Sequence, residues 1–223
     1  LCATQEAEDF IAEVPEKLPF MGTSCCPAWS VMAKKRFPEY ANCISMALTP
    51  MVLTARLIKK EHPNGKVVFI GPCAAKKLEA MRRSVRSEVD FVLTFEEMTG
   101  IFAAKELDPD GVNDASTDGR DFAVAGGVAK AVVNVIKERY PDREIKVANA
   151  EGLRDCYKML RDAVAGKYPG YLLEGMACPG GCVAGAGTMQ SIKKSQAQVH
   201  LYAKQAKHKT SNETEHIKEL EKL

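Results

Sequence analysis

The chain has 223 residues, 46% of them hydrophobic and 27% charged, and a net charge of +2 at neutral pH. That length suits one large domain or two small lobes with a core that needs no staples. The near-balanced charge excludes the basic face that nucleic-acid binding requires, and Gly, Pro or Lys interrupts each apolar stretch too early for a membrane span.

In chain order, residues 4–14 read as a helix with Phe10, Ile11 and Val14 apolar, ended by Pro15 and Pro19. A second helix is expected from Ala28 to Arg36. A third runs from Pro50 to Lys60, with Pro at a favourable first position and apolar residues on most sides, so it should be buried. Val67–Ile70 and Val89–Leu93 read as core strands. Thr94 with Glu97 makes a capping box for a helix reaching Ala104. Residues 105–121 read as a solvated loop, and the Gly of Asp108-Pro-Asp110-Gly111 falls too early for a calcium loop. Val128, Ala131, Val132, Val135 and Ile136 follow helical spacing. Ile145–Ala148 is an expected strand, and the helix after it places Leu153, Cys156, Tyr157, Leu160 and Val164 together. Tyr171–Leu173 is the last expected strand. From Lys204 the apolar residues thin out, which predicts a solvated helix or a disordered tail. Strands alternating with helices predict an α/β fold: a parallel β-sheet flanked by helices.

The cysteines are the outlier. There are eight, at positions 2, 25, 26, 43, 73, 156, 178 and 182. No secretory leader is visible at the start of the sequence, so clustered cysteines read as metal ligands or catalytic thiols before disulfides. Five fall in three segments: Thr23-Ser-Cys25-Cys26-Pro-Ala-Trp29, Gly71-Pro-Cys73-Ala-Ala-Lys76-Lys77-Leu-Glu79-Ala80, and Glu174-Gly-Met176-Ala-Cys178-Pro-Gly-Gly-Cys182-Val-Ala-Gly185-Ala-Gly187. Two of the three follow an expected strand, where sites of open α/β sheets form. A 4Fe–4S cubane takes four thiolates. Adjacent cysteines point apart, so one of Cys25 and Cys26 can bind iron while the other relays protons as a thiol. Structural zinc usually shows C-x2-C pairs, and none occurs. Cys43 and Cys156 are expected to pack in the core, Cys2 is unassigned, and Gly126-Gly127 reads as a close turn.

The three segments resemble the signature motifs of the iron-only (FeFe) hydrogenases: T-S-C-C-P-x-W, x-P-C-x-x-K-K-x-E-A and E-x-M-A-C-x-x-G-C-x-x-G-x-G. They stand in the family's order, and the likeness covers residues 4 to about 200. The resemblance implies that Cys26, Cys73, Cys178 and Cys182 hold the cubane of the H-cluster. Cys182 would bridge to a two-iron subcluster carrying CO, cyanide and azadithiolate. It makes Cys25 the proton donor, Lys76 a hydrogen-bond donor to cyanide, and Met176 a contact of the diiron site. Counted without gaps, Glu8 falls at the family's acidic relay position and Ser45 at its relay hydroxyl.

Other positions depart from the family: Gln5 and Ala12 for Glu and Arg, Gly71 for Met, Met51 for Gln, and Lys130 for Glu. The resemblance implies a catalytic domain over 1–205, short of the family's N-terminal lobe, and a charged tail over 206–223. It also implies reversible reduction of protons to dihydrogen, a ferredoxin or similar low-potential electron carrier, hydrogenase maturation proteins, and a cytoplasmic, anaerobic setting. No nucleic acid and no membrane partner is expected. The alternatives are a non-catalytic iron–sulfur cluster assembly or carrier relative, and a dihydrogen sensor. Assembly relatives generally lack the thiol at the position of Cys25, and sensors often alter it, so Cys25 speaks against both.

Overall fold

The computed structural model describes residues 1–105 and 115–222. The Asp108–Gly111 segment lies outside them. In chain order the elements are α1 (Cys2–Glu13), β1 (Phe20–Gly22), α2 (Pro27–Arg36), α3 (Pro50–Glu61), β2 (Val68–Gly71), α4 (Ala75–Met81), β3 (Phe91–Thr94), α5 (Phe95–Lys105), α6 (Thr117–Asp121), α7 (Gly127–Arg139), β4 (Lys146–Glu151), α8 (Leu153–Val164), β5 (Tyr171–Met176) and α9 (Ile192–Lys204).

The α/β architecture is as expected, in two parallel sheets flanked by helices. One has the order β1-β5-β4, with Phe20 and Lys146 both opposite Tyr171. The other pairs β2 with β3, Val68 opposite Phe91. Strand β1 carries no alternation because all three of its residues are buried. Pro19 and Gly22 also disguise it as a turn, so the sequence pattern missed it. Strand β2 is only half a core strand. Val67 and Gly71 are buried, but Val68 and Ile70 are 46% exposed, since alternate side chains face away from the core.

The core lies between the three-stranded sheet and its helices. All five residues of the stripe on α7 (Val128, Ala131, Val132, Val135, Ile136) are buried, as their spacing requires. On α8 the buried residues are Cys156, Met159, Leu160 and Ala163, while Leu153 and Tyr157 stay exposed. The capping box forms: Glu97 accepts from the Thr94 amide at 2.8 Å, and the Glu97 amide donates to Thr94 Oγ1 at 3.2 Å. Helix α6 replaces part of the expected loop, capped by Ser116 Oγ accepting from the Gly119 amide at 3.1 Å. The tail is tied down rather than solvated. Thr210 and Asn212 donate to Glu138 at 3.1 and 2.7 Å, and the Ser211 hydroxyl meets that of Thr4 at 3.1 Å. Among the described residues no helix is long and apolar enough to cross a membrane.

Trp29 on α2 is fully buried and donates from Nε1 to the Thr23 carbonyl at 3.0 Å. Its indole lies on Gly175 of β5, where a Cβ would come within 2.2 Å of the ring. Neither a central strand nor a buried indole can yield that much. Gly175→Ala is therefore expected to lower the unfolding free energy by about 3 kcal/mol, the upper end for overpacking, read by chemical denaturation.

Candidate active site and cluster pocket

The chain turns at the carboxyl ends of its parallel strands, and the cysteine segments sit on those turns. The Thr23 amide donates to Leu173 at 2.9 Å, extending the β1–β5 pairing to the threshold of Cys25. Cys26 is the extended residue before α2, with Pro27 opening the helix. Cys73 lies between β2 and α4, and Cys178 follows β5 by two residues. The third segment then crosses to the second sheet: the Gly187 amide donates to Pro72 at 2.9 Å and its carbonyl accepts from Glu96 at 3.2 Å. Glu151 on β4 accepts from the Gly180 amide at 2.6 Å. Gly181 has φ +90°, and a Cβ there would lie 2.5 Å from the Ala125 nitrogen, so only glycine lets the Cys178–Cys182 loop pass so close.

These turns border a cavity of about 610 Å³ whose lining includes Cys25, Cys26, Cys182, Lys76, Met51 and Met176. Burial, aided by neighbouring Cys26 and Cys73 and opposed by Lys76, pushes the Cys182 thiol up to about 12. Cys178 is raised by burial and by the same two sulfurs. The Ala177 amide points at Cys26 Sγ, 3.5 Å away. Thiols held up in this way become thiolates together only around added positive charge. Among the described residues no three His, Cys, Asp or Glu side chains close on a single ion. Cys26 and Cys182 line the cavity itself, and Cys73 and Cys178 stand close enough to act on Cys182. That donor set fits a cubane cage with a thiolate at each corner.

Lys76 is buried. Its Nζ lies 2.6 Å from Glu79 Oε2 and donates weakly to the Cys25 carbonyl at 3.4 Å. Glu79 also accepts from Thr49 Oγ1 at 3.4 Å, so the pair is anchored from α3. Burial, with the charges of Glu6 and Glu174 behind it, holds the Cys25 thiol well above its ordinary value. Cys25 therefore keeps its proton at neutral pH. Met176 is 2% exposed and Ser45 4%.

The acidic position needs a correction. Glu8 sits on the outer side of α1, 42% exposed, paired with Arg139 and accepting from the Tyr140 hydroxyl at 2.7 Å. Glu6 is the inward carboxylate. It accepts from the Ser24 amide at 2.6 Å and the Ser24 hydroxyl at 3.1 Å, and Ser45 also bonds it. Burial raises Glu6 to about 7. Two residues on a helix are about 200° apart, so Glu6 and Glu8 cannot both face the core. A gap-free count from Cys25 missed this, although Glu6 lies three residues after Ala3 and four before Phe10, both buried. Glu174 was missed too. It is fully buried and accepts from the Gly126 and Ala129 amides at 2.7 Å each, pinning the start of α7 to β5.

The family model described as "Iron only hydrogenase large subunit, C-terminal domain" matches residues 1–186. The chain belongs to this family. The iron-only hydrogenase domain is 30% identical to the periplasmic [Fe] hydrogenase large subunit of Nitratidesulfovibrio vulgaris, covering 82% of this chain and 55% of that one. It is also 33% identical to the cytosolic Fe-S cluster assembly factor NAR1 of Kluyveromyces lactis, over 43% of this chain and 20% of that one. The fold matches the apo [FeFe]-hydrogenase HydA1 variant C377H of Chlamydomonas reinhardtii with a TM-score of 0.74 at 22% identity, covering 99% of this chain and 76% of that one. The hydrogenase-type domain thus spans about half the length of its hydrogenase relatives.

Of the positions where this domain departs from the family's motifs, Met51 lines the cavity and Gly71 ends β2. Lys130 pairs with Asp121 at 3.2 Å, and Asp121 also meets His200. Gln5 Oε1 is buried without a partner. Ala12 is exposed on α1. Cys43 and Cys156 pack in the core, the latter donating to the Ala150 and Met176 carbonyls at 3.4 Å.

Proposed function

We propose that this domain catalyses the reversible reduction of protons to dihydrogen with low-potential electrons. The observation that carries the reading is the juxtaposition of a half-buried thiol, Cys25, with a buried carboxyl of raised pKa, Glu6, beside a cavity that Cys26 and Cys182 also line. When bound, the H-cluster, a 4Fe–4S cubane joined to a two-iron subcluster with CO, cyanide and azadithiolate, supplies the redox chemistry. Cys26, Cys73, Cys178 and Cys182 would hold it, with Cys182 shared between its two parts.

The chain's own residues do the rest. Cys25 holds a proton at Sγ on the wall of the cavity. Glu6, protonated and ionised in comparable amounts near pH 7, exchanges protons inward through the Ser24 and Ser45 hydroxyls. Lys76, fixed by Glu79, offers an ammonium donor to an anionic ligand in the cavity. Met51 and Met176 keep that space apolar. A ferredoxin-type carrier as electron partner and hydrogenase maturation proteins belong to the same proposal.

The likeness to the NAR1 assembly factor favours a second reading, a cluster-assembly or carrier protein. Such a role needs the four cubane thiols and makes no use of Cys25 or Glu6.

Anaerobic reconstitution with iron and sulfide tests the shared part of both readings. About four iron and four sulfide per chain are expected, with the brown absorbance lost in Cys73→Ala and Cys178→Ala. Stoichiometric zinc in place of iron would sink both. Hydrogen turnover after maturation then separates them.

A further inference from the structure

Cys25 and Cys26 line the cluster cavity, while their neighbours Ser24 and Pro27 line a second crevice of about 380 Å³. Four cationic side chains surround it: Lys34 and Lys35 from α2, Arg56 from α3, and Arg82 from the turn after α4. Among the described residues Glu79 is the lone carboxylate in the lining, and Lys76 and Thr49 already hold it. Among the described residues no ion pair involves Lys34, Lys35, Arg56 or Arg82. Among the described residues, Lys34 Nζ meets the Met46 thioether at 3.6 Å. Arg56 is fixed by the Val85 and Arg86 carbonyls at 2.8 and 3.3 Å, which orient its guanidinium without neutralising it.

Basic residues in the last turn of α2 offset the helix dipole, and that accounts for Lys34 and Lys35 alone. Arg56 and Arg82 come from two other elements, so the convergence is tertiary. It has an electrostatic cost: partial burial and the charge of Arg82 both push the Lys34 ammonium toward neutrality. A concave site with like charges held together and no counter-charge is completed by an anion.

We infer that this crevice binds a small oxyanion of the phosphate class. Planar guanidinium groups and ammonium groups converging from three sides match a compact, multiply charged acceptor. Ser30 and Ser84 on the same walls add hydroxyl donors. At the inner end lie Ser24 and Ser45, nearly buried and bonded to Glu6. The anion therefore sits at the outer end of the proton path. That last consequence rests on the proposed hydrogenase reading; the binding itself does not.

Titration calorimetry of the metal-free protein with inorganic phosphate, at low ionic strength in an amine buffer, tests the inference. Saturable one-to-one binding is expected, weakened tenfold or more in both Lys34→Gln and Arg82→Gln. The exposed Lys137→Gln on α7 should leave it unchanged. Circular dichroism confirms that the variants are folded, as expected for changes at half-buried and exposed side chains. Absent binding, equal competition by chloride at matched ionic strength, or loss no greater than in Lys137→Gln would overturn the site. Binding of a polyglutamate peptide without binding of phosphate would overturn it in favour of an acidic protein partner. Failure of the matured enzyme to turn over hydrogen would remove the hydrogenase reading and leave the calorimetric result standing.

Discussion

Cys25→Ala in the matured enzyme is expected to cut hydrogen turnover by about 10²–10⁴-fold or more, the usual contribution of a general acid–base group, with iron and sulfide content unchanged. The geometry separates the two effects. Cys26, the neighbour, receives the Ala177 amide at its sulfur and is one of the four thiols proposed to hold the cubane. Cys25 lines the same cavity, and its thiol stays protonated because burial and the charges of Glu6 and Glu174 disfavour the thiolate. On the proposed reading, removing its sulfur takes away a proton carrier and leaves the four proposed ligands in place. Cys25→Ser should recover little, since a hydroxyl is far too weak an acid. Cys25→Asp should recover more, since a buried carboxylic acid can donate. Near-normal turnover in Cys25→Ala would discard the relay; no turnover in the matured parent protein would favour the assembly reading.

Glu6→Gln should reduce turnover by a comparable factor, whereas Glu8→Gln should change it less than threefold. Glu8 spends its charge on Arg139 and Tyr140 at the surface. Glu6 is the carboxyl in contact with Ser24 and Ser45. The same substitution has a second readout in the metal-free protein. Below pH 4.5 Glu6 is protonated in both the folded and the unfolded chain. Between 4.5 and about 7 the unfolded chain releases the proton while the fold retains it, so stability falls as pH rises, and above about 7 it levels off. A shift of that size corresponds to about 3 kcal/mol lost across the window. Glu6→Gln should flatten that part of the stability–pH profile, measured by urea denaturation from pH 4.5 to 8. An unchanged slope would show that Glu6 is not held protonated by burial.

The cysteine segments were legible at once because each carries its chemistry in consecutive residues. A thiol beside Pro or Gly after a strand needs no partner to be noticed. The stripe on α7 and the capping box at Thr94 were legible for a similar reason, as local periodicity and local hydrogen bonding suffice to specify them. The inward carboxyl was not. Counting back from Cys25 assumes that residues 14–22 pass without a shift, and the register of α1 against the Ser24 turn is set by packing of Ala3, Ala7 and Phe10 on α7 and the sheet. Glu6 is distinguished from Glu8 by that packing alone.

The short strand β1 was invisible because its three residues owe their extended form to hydrogen bonds with β5, residues 151 positions away. The basic crevice followed the same rule, its four charges arriving from three separate elements. By itself the sequence determined the α/β alternation and the cysteine segments with their adjacent Cys25–Cys26 pair, all of which depend on near neighbours. The tertiary structure alone decided which carboxylate faces Cys25 and which cations stand together, because burial and charge proximity are properties of contacts between distant segments.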